Sequence, residues 1–155
     1  MAIAPNVTFV SGDVLTAAQQ NAFGFGVVGF TQSTTLLQAG ITTETDLTGM
    51  SVTFTAIANR YYKVTAFMYG VATVTNACFQ VRIKQGATVL QHFITNAGPA
   101  TAGTTVSGSV IKTFTAGSTT LKLAGALASG STGSITFNAA ATLPVYILVE
   151  DIGPA

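Results

Sequence analysis

The sequence predicts an all-β protein: an antiparallel β-sandwich, jelly-roll-like, preceded by a short extended arm and helix. Apolar and polar residues alternate at period two in several stretches, and Gly, Ser and Asn turns separate these stretches at intervals of about 8–12 residues. No repeat of fixed period is present, which argues against a propeller or a β-helix. About eight or nine strands result, and eight antiparallel strands are typical of a jelly roll. We expect residues 1–26 to form the arm and helix, and residues 27–155 the sandwich.

The composition indicates a surface that is covered by partners. Of the 155 residues, 48% are hydrophobic and only 7% are charged, whereas about 25% charged residues is typical of soluble domains. A free β-protein with so few charges would tend to self-associate. The six Lys and Arg residues are spread singly along the chain. We therefore expect no nucleic-acid partner, because binding to phosphates needs clustered positive charge.

The last predicted strand, at residues 143–149, is apolar on both faces. Alternate residues from Leu143 to Val149 point one way, while Tyr146 and Leu148 point the other. A strand of this kind is covered on both sides. The predicted strand at residues 61–69 shares this property. We expect the second faces of the two strands to bury against sister subunits, and the candidate interface residues are Tyr61, Phe67, Tyr146 and Leu148.

The first 26 residues predict an extended segment at residues 7–10 and then a short helix. Thr16 and Gln19 fit a capping box, and Gly24 can end the helix. A helix of under two turns must dock on something, since it is marginal alone. It could grip a partner or plug one end of its own sandwich. Phe residues alternating with Gly follow, and we expect this aromatic cluster to be core: Phe23, Phe25 and Phe30.

The middle of the chain predicts two hairpins and three more strands. Residues 51–56 alternate with Val52, Phe54 and Ala56 inward, and residues 61–69 return as their hairpin partner. Residues 78–84 alternate most regularly, and residues 88–95 return after the turn at 85–87. Further strands are predicted at residues 107–115, 119–126 and 134–140.

The sequence does not predict an active site, a cofactor or a metal. His92 is the single histidine and lies in a predicted strand without an acid beside it in sequence. Glu44 and Asp46 could share a face, but Ca²⁺ needs about 6–8 oxygen ligands, so we interpret them as solvated acids in a loop. Glu150 and Asp151 are expected to mark the exit of the last strand from the core. The chain is therefore predicted not to be an enzyme.

The chain also shows no sign of a disulfide, a signal peptide or a membrane span. Cys78 is the single cysteine, so an intrachain disulfide cannot form. The first residues carry no positive charge ahead of a long apolar run, as a signal peptide would. Apolar runs remain far below the ~20 residues that span a bilayer. We expect a protein that is made in a cytoplasm and has no membrane partner.

Residues 12–21, GDVLTAAQQN, resemble a recurring N-terminal motif of small structural proteins of tailed phages, particularly those of actinobacteria. Gln20 stands where that motif often has Leu or Met. The segments around residues 43–62 and 144–154 resemble the β-rich bodies that follow the motif. The resemblance implies a virion protein with a jelly-roll body of the tumour-necrosis-factor/C1q type, assembled as a homotrimer.

Within that resemblance, we favour a decoration protein on the capsid surface that binds and stabilises the phage head. The resemblance implies that the N-terminal arm docks on the major capsid protein through Phe9, Leu15 and Phe23. The alternative is a tail or fibre component with a receptor- or carbohydrate-binding head. A virion-bound glycan hydrolase is a third class, and it rests only on the carboxylates described above.

Overall fold

The computed structural model describes residues 26–35 and 37–155, and these residues form ten β-strands and no helix. The strands are β1 (Gly26–Ser33), β2 (Gln38–Ile41), β3 (Thr45–Ala56), β4 (Arg60–Ala72), β5 (Cys78–Gln85), β6 (Thr88–Asn96), β7 (Gly103–Lys112), β8 (Gly117–Leu127), β9 (Ile135–Asn138) and β10 (Val145–Pro154).

The ten strands form two antiparallel sheets that pack face to face. The six-stranded sheet has the order β1-β10-β4-β9-β2, and β7 also pairs with β4. Strand β4 is its centre, because β7 lies along one edge while β10 and then β9 lie along the other. The four-stranded sheet has the order β3-β8-β5-β6. The predicted antiparallel, jelly-roll-like sandwich is therefore confirmed.

The core lies between the sheets and follows the period-two patterns of the sequence. In β3 the predicted inward residues Val52, Phe54 and Ala56 are buried. In β10 every second residue from Val145 to Val149 is fully buried. The predicted inward residues of β4 and β5 are also buried: Tyr62, Val64, Ala66, Met68, Phe79, Val81 and Ile83.

The predicted hairpin between β3 and β4 is wrong, because these strands belong to opposite sheets. Strand β3 pairs with β8, and β4 pairs with β7, β9 and β10. The turn between them, with Asn59 at a φ of 59°, carries the chain from one layer to the other. Their inward rings meet across the core, where the centroids of Phe54 and Tyr62 lie 5.3 Å apart. Alternation fixes which residues face inward but does not choose the partner strand.

The second predicted hairpin, β5–β6, is confirmed. Residues 78–85 pair antiparallel with residues 88–96 around Gly86, whose φ of 59° suits a tight turn. The three later strands are also present as β7, β8 and β9, and the last strand extends to Pro154. Strand β2 and its pairing with β9 were not predicted, because the Thr-rich segment that contains β2 shows little alternation.

One end of the sandwich contains both termini of the described residues, and the other end consists of three loops. Gly26 pairs with Asp151, and the backbone N–H of Ala155 donates to the carbonyl of Asn59 at 2.8 Å. We call this end the terminal pole; it comprises both ends of the described sandwich and the connections at residues 57–59, 86–87 and 113–116. The opposite pole consists of the loops at residues 73–77, 97–102 and 128–134, which are linked by backbone hydrogen bonds.

The predicted arm and short helix, except for Gly26 at the start of β1, lie outside the described residues, and so do Phe9, Leu15 and Phe23. The boundary between arm and sandwich therefore stays a prediction. Within the part of the chain that the structure describes, there is no helix long and apolar enough to cross a membrane.

Candidate self-association surface

The outer face of the six-stranded sheet is rich in aromatic and aliphatic side chains. All four predicted interface residues lie on this face, since Phe67 pairs with Tyr146, Leu148 pairs with Thr65, and Tyr61 is six residues from Phe67 on β4. Tyr61 is 43% exposed, and the other three are half-buried. Among the described residues, no second layer covers this face.

An aromatic row crosses three neighbouring strands on this face. The rings of Phe67 on β4 and Tyr146 on β10 are stacked at 5.7 Å with an interplanar angle of 15°. Phe30 on β1 continues the row, with its centroid 6.1 Å from that of Tyr146. Phe30 is 51% exposed. The expectation that Phe30 is core is therefore wrong, because its position on β1 directs it away from the second sheet.

The register of the sheet produces this row. Leu148 lies opposite Phe30 across β1 and β10, and Phe67 lies opposite Tyr146 across β4 and β10. Residues that face each other across paired strands have Cβ atoms about 4.5–5.5 Å apart, so large side chains must contact one another. The row therefore follows from strand pairing between segments that are far apart in sequence.

Small residues on β7 leave room for the aromatic side chains of this face. A Cβ atom at Gly103 would lie 1.6 Å from the Tyr69 hydroxyl oxygen. Glycine therefore allows Tyr69 to lie across β7 rather than stand away from the sheet. Ser107 and Ser109 follow on the same side of β7, opposite Phe67 and Thr65. The result is a broad apolar surface with small hydroxyl groups at its side.

One ion pair lies on this face. The Nζ atom of Lys63 is 3.4 Å from a carboxylate oxygen of Glu150, and both side chains are partly exposed. An exposed pair of this kind contributes little to stability, about 0–1 kcal/mol. The pair lies toward the terminal pole and therefore does not interrupt the aromatic row.

The outer face of the four-stranded sheet is different in kind, because an ionic network crosses it. Arg82 and Lys84 on β5 both donate to the Glu44 carboxylate. Lys122 on β8 donates to Asp46, whose other oxygen is 3.5 Å from Lys84 Nζ. Glu44 is exposed in the connection before β3, as the interpretation of a solvated loop acid expected, whereas Asp46 lies in β3. Both carboxylates are paired with cations, which the sequence did not predict.

The network shifts three pKa values in the directions that its pairing dictates. The hydrogen bond from Lys84 lowers the pKa of Glu44 below its ordinary value of 4.5. The hydrogen bond from Lys122 lowers the pKa of Asp46 below 3.8. The hydrogen bond to Glu44 raises the pKa of Lys84 above 10.5. The two carboxylates thus remain charged and paired with protein cations, which argues against a Ca²⁺ or catalytic role for them.

A second ion pair is buried at the terminal pole. Arg60 Nε donates to Asp151 Oδ2 at 2.6 Å, and the backbone N–H of Gly153 donates to the other carboxylate oxygen at 3.0 Å. Both charged side chains are almost fully buried. The expectation that Asp151 marks the exit from the core is wrong, because β10 continues past it and its side chain faces inward.

The remaining candidates for chemistry stand apart from one another. His92 is exposed on β6, opposite Arg82 on the outer face of the four-stranded sheet. Within residues 26–35 and 37–155, no group of three or more His, Cys, Asp and Glu side chains is placed to hold a metal ion. In contrast, the structure brings large apolar side chains together on the outer face of the six-stranded sheet.

Comparison with known proteins identifies the fold class. The chain is similar to the Eiger TNF of S. frugiperda, with 9% identity and a TM-score of 0.56, over 84% of this chain and 94% of that one. It is also similar to murine APRIL, with 9% identity and a TM-score of 0.51, over 82% and 98% of the two chains. The chain therefore has the TNF-like jelly-roll fold.

A further solved structure is the tripod from the baseplate of bacteriophage Tuc2009. It matches 99% of this chain and 80% of its own, with 17% identity and a TM-score of 0.49. That score is too low to support an inference about function. No family model matches the sequence, and no curated protein matches it.

Proposed function

We propose that the chain is a structural virion protein that decorates and stabilises the phage head as a homotrimer. Its role is contact rather than catalysis. The resemblance of residues 12–21 to phage structural proteins supports the virion assignment, and the TNF-like jelly roll is the body which that resemblance implies. The outer face of the six-stranded sheet supports self-association.

The aromatic row is the single observation that carries the proposal. Phe30, Tyr146 and Phe67 form a continuous apolar strip on a sheet face that no described element covers. Exposed apolar patches of this kind mark interaction sites in soluble proteins. Each large apolar side chain that becomes fully buried contributes about 1.5–3 kcal/mol. A few such residues per subunit are enough to hold an oligomer together.

Exposed aliphatic side chains also lie on the two outer faces of the sandwich. Ile111 on β7 lies opposite Lys63 and is 55% exposed, so it extends the apolar outer face of the six-stranded sheet. Ile94 on β6 lies opposite Gln80 and is 56% exposed, on the outer face of the four-stranded sheet. Contacts between unlike surfaces of identical chains close into a ring when the rotation permits, and a ring of three copies is the arrangement proposed here.

Attachment to the head is assigned to the N-terminal arm. In this proposal, Phe9, Leu15 and Phe23 dock on the major capsid protein, while the sandwich supplies the contacts between sister subunits. The virion is the resulting location of the protein, on the capsid surface. The stabilisation of the head is mechanical, because each oligomer ties neighbouring capsid subunits to one another.

The number of copies per particle tests this proposal. Quantitative mass spectrometry of purified virions is expected to find the chain at a number comparable to that of the major capsid protein. A copy number of only a few per particle would contradict decoration and favour the tail or fibre alternative. Absence from purified virions would contradict both the decoration proposal and the tail or fibre alternative. Another protein of the same particle with known copy number serves as the internal standard.

A further inference from the structure

We propose that the free edge of β7 pairs antiparallel with β7 of a second copy of the chain, about a two-fold axis that places Ser107 opposite itself. The inference goes beyond the proposed function and does not depend on it. In the proposed assembly, this contact would join one trimer to the next, whereas the aromatic row holds the three subunits of each trimer together.

Strand β7 is the one regular edge strand among the described residues. The two sheets end at β1, β2, β3, β6 and β7. The first four each have a register shift against their neighbour, but β7 pairs with β4 along its whole length without one. Bulges and charges keep edge strands from pairing with other chains, and β7 has no bulge and no charge before Lys112. It is therefore the edge best suited to accept another strand.

The hydrogen bonds beside β4 show which backbone groups of β7 are free. The Ala72 carbonyl accepts from the Thr101 N–H on the side of β7, and the Thr73 N–H donates to the Ser134 carbonyl on the side of β9. Consecutive residues of an antiparallel strand bond to opposite sides, so the even-numbered residues of β4 bond to even-numbered residues of β7. The odd-numbered residues therefore point their N–H and C=O groups away from β4: Gly103, Thr105, Ser107, Ser109 and Ile111.

The two-fold register pairs every one of these five residues, all of which are exposed. With Ser107 opposite itself, Thr105 lies opposite Ser109 of the second copy, and Gly103 lies opposite Ile111. A register shifted by two residues would leave the residue at one end of the set unpaired. The two-fold register is thus the one that satisfies the whole free edge.

The side chains on the outer face indicate that the partner is the chain itself. Ile111 is 55% exposed, and Gly103 lacks a side chain, so that the Tyr69 ring lies over it. In the two-fold register, Ile111 of each copy would pack against the ring that covers Gly103 of the other. Residues directly opposite across antiparallel strands have Cβ atoms about 4.5–5.5 Å apart. The pairing therefore covers an exposed aliphatic side chain at each end of the contact.

The rest of the edge is also compatible with a copy of itself. Thr105 and Ser109 face each other, and hydroxyl pairs of this kind stabilise paired strands. Residues 103–111 carry no charge, and the two Lys112 side chains lie at opposite ends of the contact, so no like charges meet. The contact is short, and we expect it at concentrations well above the low micromolar range in which the trimer is proposed to form.

Charge at position 107 tests the pairing, because this residue meets itself. Ser107→Lys and Ser107→Asp each place two like charges opposite each other, whereas an equimolar mixture of the two variants places opposite charges there. Association of the full chain at high micromolar concentration is measured by sedimentation velocity. We expect each variant alone to associate at least about tenfold more weakly than the unmodified chain, and the mixture to recover most of that loss.

Thr105→Lys is the matched control, with the same charge on the same strand and face. In the two-fold register the two substituted side chains lie about 13 Å apart along the strands, beyond the Debye length of about 8 Å at physiological ionic strength. This variant is expected to associate as the unmodified chain does. Thermal unfolding and the mass at low micromolar concentration show whether each variant keeps the fold and the trimer.

A cysteine at the same position gives a second measurement that does not depend on affinity. In a Cys78→Ser background, Ser107→Cys is expected to form a disulfide between two copies under mild oxidation, because opposed Cα atoms about 5.5 Å apart permit one. Thr105→Cys is the control and is expected not to form one, since it lies opposite Ser109.

The outcomes separate this pairing from other contacts and from the proposed function. Equal association of all charge variants, or equal cross-linking at both positions, would overturn the two-fold register. Loss of association in each variant without recovery in the mixture would assign the edge to a different partner strand and contradict self-pairing. Absence of the chain from virions would overturn the proposed function and leave this pairing standing.

Discussion

The residues on the outer face of the six-stranded sheet are large and mostly apolar, and they carry few polar groups. The stacked pair of Tyr146 and Phe67 contributes two aromatic rings and one hydroxyl group. Aromatic side chains of this kind are enriched at interfaces, because they supply large contact area with few rotatable bonds. Phe30 extends the same surface onto the edge strand β1. The chemistry of the face is thus set by a few residues on three strands.

The buried Arg60–Asp151 pair gives a prediction at the scale of one residue. Asp151→Asn leaves the Arg60 charge buried without its carboxylate, which is expected to lower the free energy of unfolding by about 3–5 kcal/mol. Urea unfolding at neutral pH measures the change. The neighbouring Glu150→Gln is the control, because its pair with Lys63 is partly exposed and is expected to cost less than about 1 kcal/mol. Equal losses in the two variants would contradict this account of Asp151.

The strands show how far the sequence alone could predict the fold. Period-two alternation identified the inward residues of β3, β4, β5 and β10, because each of these strands has one face on the core. The same alternation could not show that β3 pairs with β8 rather than β4. Pairing depends on contacts between distant segments, as between Val52 and Leu121, and these leave no local pattern.

The ionic network was missed for the same reason. Arg82 and Lys122 are 40 residues apart in sequence and each seemed isolated, but β5 and β8 are neighbours and bring them together with Lys84. Glu44 and Asp46 reach the same place because β3 pairs with β8. In contrast, the apolar outer face of β4 and β10 could be predicted from a local signal, because both faces of each strand are apolar in the sequence. That sister subunits cover this face stays a prediction.

The network between β3, β5 and β8 predicts a pH dependence of stability. The folded-state pKa values of Glu44 and Asp46 are lowered, so their contribution is present above the ordinary values and is lost as pH falls through the folded ones. The pKa of Lys84 is raised, so its contribution is present below about 10.5 and is lost at higher pH. Stability is therefore expected to decline on both sides of the neutral range.

Urea unfolding between about pH 5 and about pH 2 measures the acid side of this dependence. The Glu44→Gln, Asp46→Asn double variant is expected to show a flatter profile over that interval, because it lacks the two carboxylates that must be protonated. Glu150→Gln is the control and should keep the slope of the unmodified chain. An identical slope in the double variant would contradict a stabilising role for the network.

The whole molecule has two faces of opposite character. Most charged side chains of the described residues lie in the network on the four-stranded sheet or in the buried pair, whereas the six-stranded sheet presents the aromatic row and a single ion pair. The network is thus placed on a face where water is expected, and charge is scarce on the face where a sister subunit is proposed. Such a segregation would let a chain with only 7% charged residues stay in solution as the proposed assembly.

Sedimentation equilibrium of the purified chain at low micromolar concentration is the most direct test of self-association through the outer face of the six-stranded sheet. We expect one species of three times the chain mass of 15.8 kDa, and we expect Leu148→Asp to dissociate it while the subunit remains folded. Thr55→Asp, on the outer face of the other sheet, is the control and should keep the oligomer. A stable single subunit at high concentration, or a Leu148→Asp variant of unchanged mass, would contradict the account.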